Sequence, residues 1–248
     1  LSRRSIYGFY QKFYSPDRLV VSVAGNVEHA QVVKLVRKAF EKGGVDLVGD
    51  VAPFTPTKRK QKVNRKENVL FVPKTTEQAN VVIGVPGLDR DDPRRYTLSL
   101  LNAALGGGMS SRMFQEVREK RGLVYSVYSF AQQFLDSGMV GVYAGCGPAR
   151  LEAVRDTVTM VLDDVVANGI TEAELEKAKG QFAGGMVLGL EDTGSRMSRN
   201  ARSELTTGDI PSVSQVLERV QAVTLDEVNA LAHHLWSQER LTTIVGPE

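Results

Sequence analysis

The pattern of apolar and polar positions alternates along the chain between helical spacing and strand spacing. Residues 2–14 place four large apolar side chains on one face of a predicted helix, and residues 29–42 form a second amphipathic helix. Runs rich in β-branched residues predict strands at residues 18–24, 68–72, 78–85, 123–130, 138–145 and 241–245. Helices are predicted at residues 96–105, 149–168, 194–205 and 226–236 and after Pro211.

Two capping boxes mark further helix starts. Thr171 and Glu174 have the spacing of the first box, and Thr224 and Glu227 have that of the second. The helix that follows Thr171 is predicted to break near the glycine pair at 184–185.

Residues 43–66 lose all periodicity and are rich in Gly, Pro, Thr and Lys, which is typical of a linker. The segments on its two sides share a short internal repeat, because residues 13–23 align without gaps on residues 235–245. Each copy runs from an aromatic residue through an acid-Arg-Leu turn into a strand. This pattern predicts the tail end of a first domain at 1–42, a linker at 43–66 and a complete second domain at 67–248.

The stretch from Leu105 to Ser129 has the densest set of signals. Three glycines at 106–108 are expected to end the preceding helix through left-handed backbone. Ser110 or Ser111 can cap a new helix, on which Met113 and Val117 lie four residues apart on one face. Gly122 is expected to close that helix, and a strand follows it.

This stretch, GGGMSSRMFQEVREKRGLVYSVYS at residues 106–129, resembles the second-half domain of the pitrilysin-type zinc peptidases. That family includes mitochondrial processing peptidase and insulin-degrading enzyme, and the resemblance extends over residues 6–246. It implies an α+β fold, a two-layer sandwich with a mainly antiparallel sheet covered by helices on one face. It also implies two similar halves that close like a clam shell.

The resemblance gives roles to particular residues. Arg118 and Tyr125 fall where the family places an arginine and a tyrosine that hold the substrate backbone opposite the zinc. Both side chains can donate hydrogen bonds to a substrate carbonyl or to a developing oxyanion. Gly106, Gly107, Gly108 and Ser110 are candidates for a flexible wall of the substrate chamber, and a simple helix break is the alternative.

The zinc motif of the family is missing from this sequence. An H-x-x-E-H helix carries two histidines one turn apart and a glutamate that acts as general base. Here His29 is isolated, and His233 and His234 are adjacent, so that they diverge on a helix. We therefore expect no metal site in this chain, with zinc held on an N-terminal half, and no activity of the chain alone.

Composition excludes several classes of protein. A net charge of +2 is too small to suggest nucleic acid, and no apolar run reaches the length of a membrane span. The single cysteine, Cys146, excludes an internal disulfide and fits a reducing compartment, either the cytoplasm or, in a eukaryote, the mitochondrial matrix. The glycine stretch lacks the lysine of a phosphate loop, which argues against a nucleotide site.

The favoured function is the substrate-binding C-terminal portion of a zinc endopeptidase, a hydrolase that cleaves peptides or presequences. Its expected partners are a peptide or unfolded polypeptide and the missing N-terminal half, or a homologous chain in a dimer. The alternative is a non-catalytic peptidase-like subunit or scaffold. An H-x-x-E-H motif in the upstream sequence would distinguish the two.

Overall fold

The computed structural model of the chain describes residues 1–44 and 67–247. Nearly all of the predicted linker lies outside these residues, so the proposed domain boundaries stay a prediction. The chain divides into two compact units, one from residues within 1–57 and 188–210 and one from residues within 58–187 and 211–248. We describe each unit by itself.

Apart from the strand predicted at residues 18–24, the helices and strands follow the predicted order. The α-helices are α1 (Arg3–Phe13), α2 (His29–Lys42), α3 (Arg95–Gly106), α4 (Leu151–Asn168), α5 (Glu172–Gly189), α6 (Thr193–Thr207), α7 (Val213–Gln221) and α8 (Leu225–Trp236). The strands are β1 (Val69–Pro73), β2 (Ala79–Pro86), β3 (Ser126–Gln133), β4 (Gly138–Cys146) and β5 (Leu241–Gly246). Single 3-10 turns lie at Pro16–Arg18 and Pro148–Arg150, and a π-helix spans Phe114–Glu119.

The larger unit is built on a five-stranded sheet in the order β1-β5-β2-β4-β3. β5 pairs in parallel with β1, and every other neighbouring pair is antiparallel. Alternate residues of β2, beginning with Ala79 and Val81, are buried, as the two-residue period of a strand requires. Helices α3, α4 and α8 contact the strands, and their apolar side chains share one core cluster with the sheet. The predicted fold class is confirmed.

Both predicted capping boxes are present. The Thr171 hydroxyl accepts from the backbone N–H of Glu174 at 3.3 Å, and the Glu174 carboxylate accepts from the N–H of Thr171 at 2.7 Å. Thr224 and Glu227 repeat this exchange at the start of α8. Each box satisfies donors that a helix start leaves without partners.

One predicted break is wrong. Helix α5 runs without interruption from Glu172 to Gly189, through the glycine pair at 184–185. Each glycine costs about 1 kcal/mol in a helix interior. Phe182 and Met186 flank the pair and pack against the core cluster, and this packing holds the helix together.

The smaller unit contains α1, α2 and α6. The predicted strand at residues 18–24 is wrong, because no residue of this unit that the structure describes lies in a strand. A strand needs a neighbour for its backbone groups, whereas Ser22 in this stretch bonds through its side chain, its hydroxyl donating to the carbonyl of Met197 at 2.9 Å.

The apolar side chains of this unit are largely uncovered. Four of them form the apolar face of α1 and are all exposed: Ile6, Phe9, Tyr10 and Phe13. A groove of about 460 Å³, here called the valine groove, is lined by Val21, Val23, Val27, Val32, Val33 and Val36 together with His29, Arg37 and Ile210. Among the described residues of both units, no helix combines the length and the apolarity needed to cross a membrane.

Candidate functional site

The predicted site lies on one continuous segment, here called the Arg–Tyr segment, that runs from Arg112 to Ser126 in the larger unit. Its helical part sits on Met113 and Val117, which are both 0% exposed. Met113 and Val117 therefore lie on one buried face of the helix, as their four-residue spacing predicted. The buried anchors fix which side of the helix faces outward.

The structure places Arg118 on the last turn of a π-helix, where an ordinary α-helix was expected. The backbone N–H of Lys120 donates to the carbonyl of Gln115, five residues earlier, at 2.9 Å. A π turn contains one residue more than an α turn and is often found at functional sites. The Arg118 side chain is exposed, and its guanidinium carbon lies 4.9 Å from the ring centre of Phe114.

The turn after the π-helix depends on Gly122. Its φ of +58° is in the left-handed region that favours glycine. The Gly122 N–H donates to the carbonyl of Arg118 at 2.9 Å, and the Gly122 carbonyl accepts from the Arg150 side chain. Hydrogen bonds thus connect the turn to Arg118 in the π-helix and to Arg150 at the start of α4.

Tyr125 lies at the entry to β3. Its backbone N–H donates to the carbonyl of Gly145 at 2.8 Å, which joins it to β4. Tyr125 is 63% exposed, so its ring does not pack in the core. The segment presents Arg118 and Tyr125, seven residues apart, as two exposed hydrogen-bond donors on either side of one glycine turn.

The three glycines at 106–108 end α3 as predicted, but the expected reason is wrong. None of them has positive φ. Gly106 is required by close approach, because a Cβ there would lie 2.3 Å from the backbone nitrogen of Ser129 in β3. At Gly107 a Cβ would lie 2.6 Å from the Cα of Ala103.

Side chains bind the carbonyl groups of this glycine stretch. Gln181 of α5 donates to Gly107 O at 2.9 Å, and Gln115 donates to Met109 O at 2.7 Å. The Ser111 hydroxyl donates to Gly108 O at 2.5 Å and makes no helix cap, so the predicted capping role is wrong. Ser110 is exposed. A role of these residues as a chamber wall stays a prediction.

Arg112 is a residue of the site that sequence reasoning missed. Its guanidinium binds both carboxylate oxygens of Glu174, at 2.8 and 2.6 Å, and one of Asp164, at 2.9 Å. It also donates to the carbonyl of Gly169, at 3.1 Å. The side chain is only 15% exposed. Its partners lie 52 to 62 residues away in the chain, so no local pattern could have indicated them.

Charge stabilises this cluster. Burial raises the pKa of Glu174, but hydrogen bonds from Arg112 and Thr171 outweigh burial and bring the pKa below its ordinary value. The hydrogen bond to Glu174 raises the pKa of the Arg112 guanidinium. Both groups are therefore charged at neutral pH.

The three histidines are divided between the two units. His29 begins α2 in the smaller unit, and His233 and His234 are exposed in the last turn of α8. Within residues 1–44 and 67–247 there is no group of three or more His, Cys, Asp or Glu side chains that could hold a metal ion.

The sequence profile described as "Peptidase M16 inactive domain" matches residues 1–182. The chain belongs to the M16 peptidase family, which confirms the resemblance stated from residues 106–129. The word "inactive" in that description agrees with the missing H-x-x-E-H motif.

Curated relatives support this assignment. The chain is 46% identical over 247 residues to an uncharacterized zinc protease of Streptomyces coelicolor, covering 100% of this chain and 54% of the relative. It is 38% identical over 244 residues to an uncharacterized zinc protease of Bacillus subtilis, covering 98% and 57%. The chain thus spans a little more than half the length of these relatives.

Solved structures show the same fold. A protease from Helicobacter pylori matches with a TM-score of 0.85 at 22% identity, over 100% of this chain and 59% of that one. The peptidase M16 inactive domain from Pseudomonas fluorescens matches with a TM-score of 0.75 at 22% identity, over 90% and 52%.

Proposed function

We propose that this chain is the substrate-binding C-terminal half of a zinc endopeptidase that cleaves peptides or presequences. The observation that carries the proposal is the exposed pair Arg118 and Tyr125 on a segment whose two ends are bound to the rest of the larger unit. A peptide bond under attack develops negative charge on its oxygen, and a guanidinium and a phenol can both donate to it. The attacking water and its metal belong to the N-terminal half in this proposal.

The smaller unit supports the existence of such a half. Its valine groove and the apolar face of α1 are uncovered, and large exposed apolar patches mark surfaces that pack against another protein. The relatives continue for nearly as many residues again as this chain covers. We propose that the N-terminal half covers this face and carries the zinc. A cytoplasmic location also remains a proposal.

The test uses the protein with its N-terminal half and a quenched fluorescent peptide as substrate. Arg118→Ala and Tyr125→Phe are each expected to lower kcat by about 10²–10³, because each removes one donor to the transition state. Zinc content and melting temperature should not change, since both side chains are exposed and neither belongs to a group of metal-binding side chains among the described residues.

Two matched variants serve as controls. Arg121→Ala removes another exposed guanidinium of the same segment, and Tyr128→Phe removes another exposed phenol, on β3. Both should retain turnover. If Arg118→Ala and Tyr125→Phe stay within about twofold of the parent with zinc retained, the proposed roles are wrong. If the protein with both halves binds no zinc and cleaves no peptide, it is a non-catalytic subunit.

A further inference from the structure

We infer that Arg112 is a positioning residue that sets where Arg118 projects; this inference rests on the proposed function. Arg112 itself forms a cluster with Asp164, Glu174 and the carbonyl of Gly169. It holds the beginning of the helical part that carries Arg118 near its end. The effect of Arg112 is therefore transmitted through the backbone.

The attachment joins three elements at one side chain. Asp164 is on α4, Gly169 is the residue that ends α4, and Glu174 is on the first turn of α5. Two parallel hydrogen bonds to one carboxylate fix the plane of the guanidinium as well as its position. Only an arginine can make this fork, since a lysine ammonium is a single point charge.

The opposite side of the same α4–α5 turn is also held. Asn229 of α8 accepts from the N–H of Ile170 at 2.7 Å and donates to its carbonyl at 3.3 Å. Arg112 thus binds the Arg–Tyr segment to a turn that is itself bound to the core. A turn that is bound to the core in this way can hold the Arg–Tyr segment in one position along its helical axis.

The π-helix makes register matter. A π turn is less stable than an α turn and persists only where its surroundings impose it. If the π-helix relaxed into an α-helix, side chains near its end would rotate by about 100° relative to Met113, the buried residue that precedes it. Arg118 lies at that end, so release of Arg112 would change the direction of its side chain.

The experiment measures kcat and KM separately in the protein with its N-terminal half. Arg112→Gln is expected to lower kcat by about 10²-fold, because a displacement of about 1 Å at a reacting group has that effect. KM should change little. Arg112→Lys keeps the positive charge but cannot form the two parallel hydrogen bonds, so its kcat should lie between those of the parent and of Arg112→Gln. Arg112→Gln added to Arg118→Ala should cause no further loss, because the first residue acts through the second.

Arg240→Gln is the matched control. The Arg240 side chain is also largely buried. It binds the carboxylate of Asp163, the neighbour of Asp164 in the sequence, at a distance of 2.7 Å, and it donates to the carbonyl of Trp236. It has no hydrogen bond or ion pair with the Arg–Tyr segment. Arg240→Gln should lower melting temperature as Arg112→Gln does and leave kcat unchanged. Amide hydrogen exchange should rise at residues 114–120 in Arg112→Gln and not in Arg240→Gln.

The outcomes separate the inference from the proposed function. Unchanged turnover in Arg118→Ala overturns both. If kcat falls in Arg118→Ala but not in Arg112→Gln, the inference alone is overturned. The same holds if the losses of kcat in the two single variants add up in the double variant. Equal losses of kcat in Arg112→Gln and Arg240→Gln also overturn it, because they would show a general effect of stability.

Discussion

Replacing Gly106 by alanine tests the contact that joins α3 to the sheet. The added methyl group would lie 2.3 Å from the backbone nitrogen and 2.7 Å from the hydroxyl oxygen of Ser129. Ser129 is a buried residue of β3, and its hydroxyl donates to the carbonyl of Asn102 in α3 at 2.8 Å. The methyl group would therefore strike a strand backbone that no change of rotamer can move.

The magnitude follows from the distance that must be gained. To reach ordinary van der Waals contact at 3.4 Å, α3 and β3 must separate by about 1 Å, which also strains the bond between Ser129 and Asn102. Overpacking of this kind costs about 1–3 kcal/mol, and backbone contact places Gly106→Ala near the upper end. A loss of about 2–3 kcal/mol corresponds to a fall in melting temperature of about 4–12 °C for a chain of this size.

Thermal and urea unfolding followed by circular dichroism would measure the effect. Gly180→Ala is the matched control, because Gly180 lies inside α5 with nothing within 4 Å of its added Cβ. That change should leave stability equal or raise it by about 0.5–1 kcal/mol, since alanine favours a helix. If Gly106→Ala is as stable as the parent while Gly180→Ala behaves as stated, the close approach of α3 and β3 is not what requires a glycine.

Two further predictions concern the α4–α5 turn. Because the pKa of Glu174 lies below its ordinary value of 4.5 in the folded chain, its ionised form stabilises the fold above that pH, and this contribution is lost as pH falls through the folded pKa. Glu174→Gln should therefore lower the melting temperature at pH 7, and the difference should shrink below pH 4.5; a constant difference would contradict the role of charge. Asn229→Ala should destabilise by about 1–3 kcal/mol in urea unfolding, because it leaves the buried N–H of Ile170 without its partner. A change well below that range would show that water replaces the amide.

Much of the fold could be predicted because its signals are local. Thr224 and Glu227 mark the start of α8 through atoms only three residues apart, and the alternation of β2 reflects one buried face. The exposure of Arg118 and Tyr125 agreed with the resemblance. These features depend on the chain's immediate neighbourhood, which a sequence displays directly.

The remaining features depend on residues distant in the sequence. The fork of Arg112 exists because α4 and α5 bring Asp164 and Glu174 beside the segment. The glycine pair in α5 looked like a break because the packing of Phe182 is invisible to local propensity. A glycine was expected at position 106, but the physical reason is its close contact with Ser129 of β3, which lies 23 residues further along the chain.

The position of β5 has a consequence for how the protein is made. β1 is the first strand of the sheet to be synthesised, yet its recorded partner is β5, the last, paired from Val69 and Thr242 to Pro73 and Gly246. At about 5–20 residues per second, roughly 10–35 s of translation separate the two strands. During that interval β3 and β4 can pair and β2 can add to β4, while β1 has backbone groups open to wrong partners. A chain truncated before Leu241 would therefore leave both β1 and the β5-facing edge of β2 without their partner, and exposed strand edges of this kind favour aggregation.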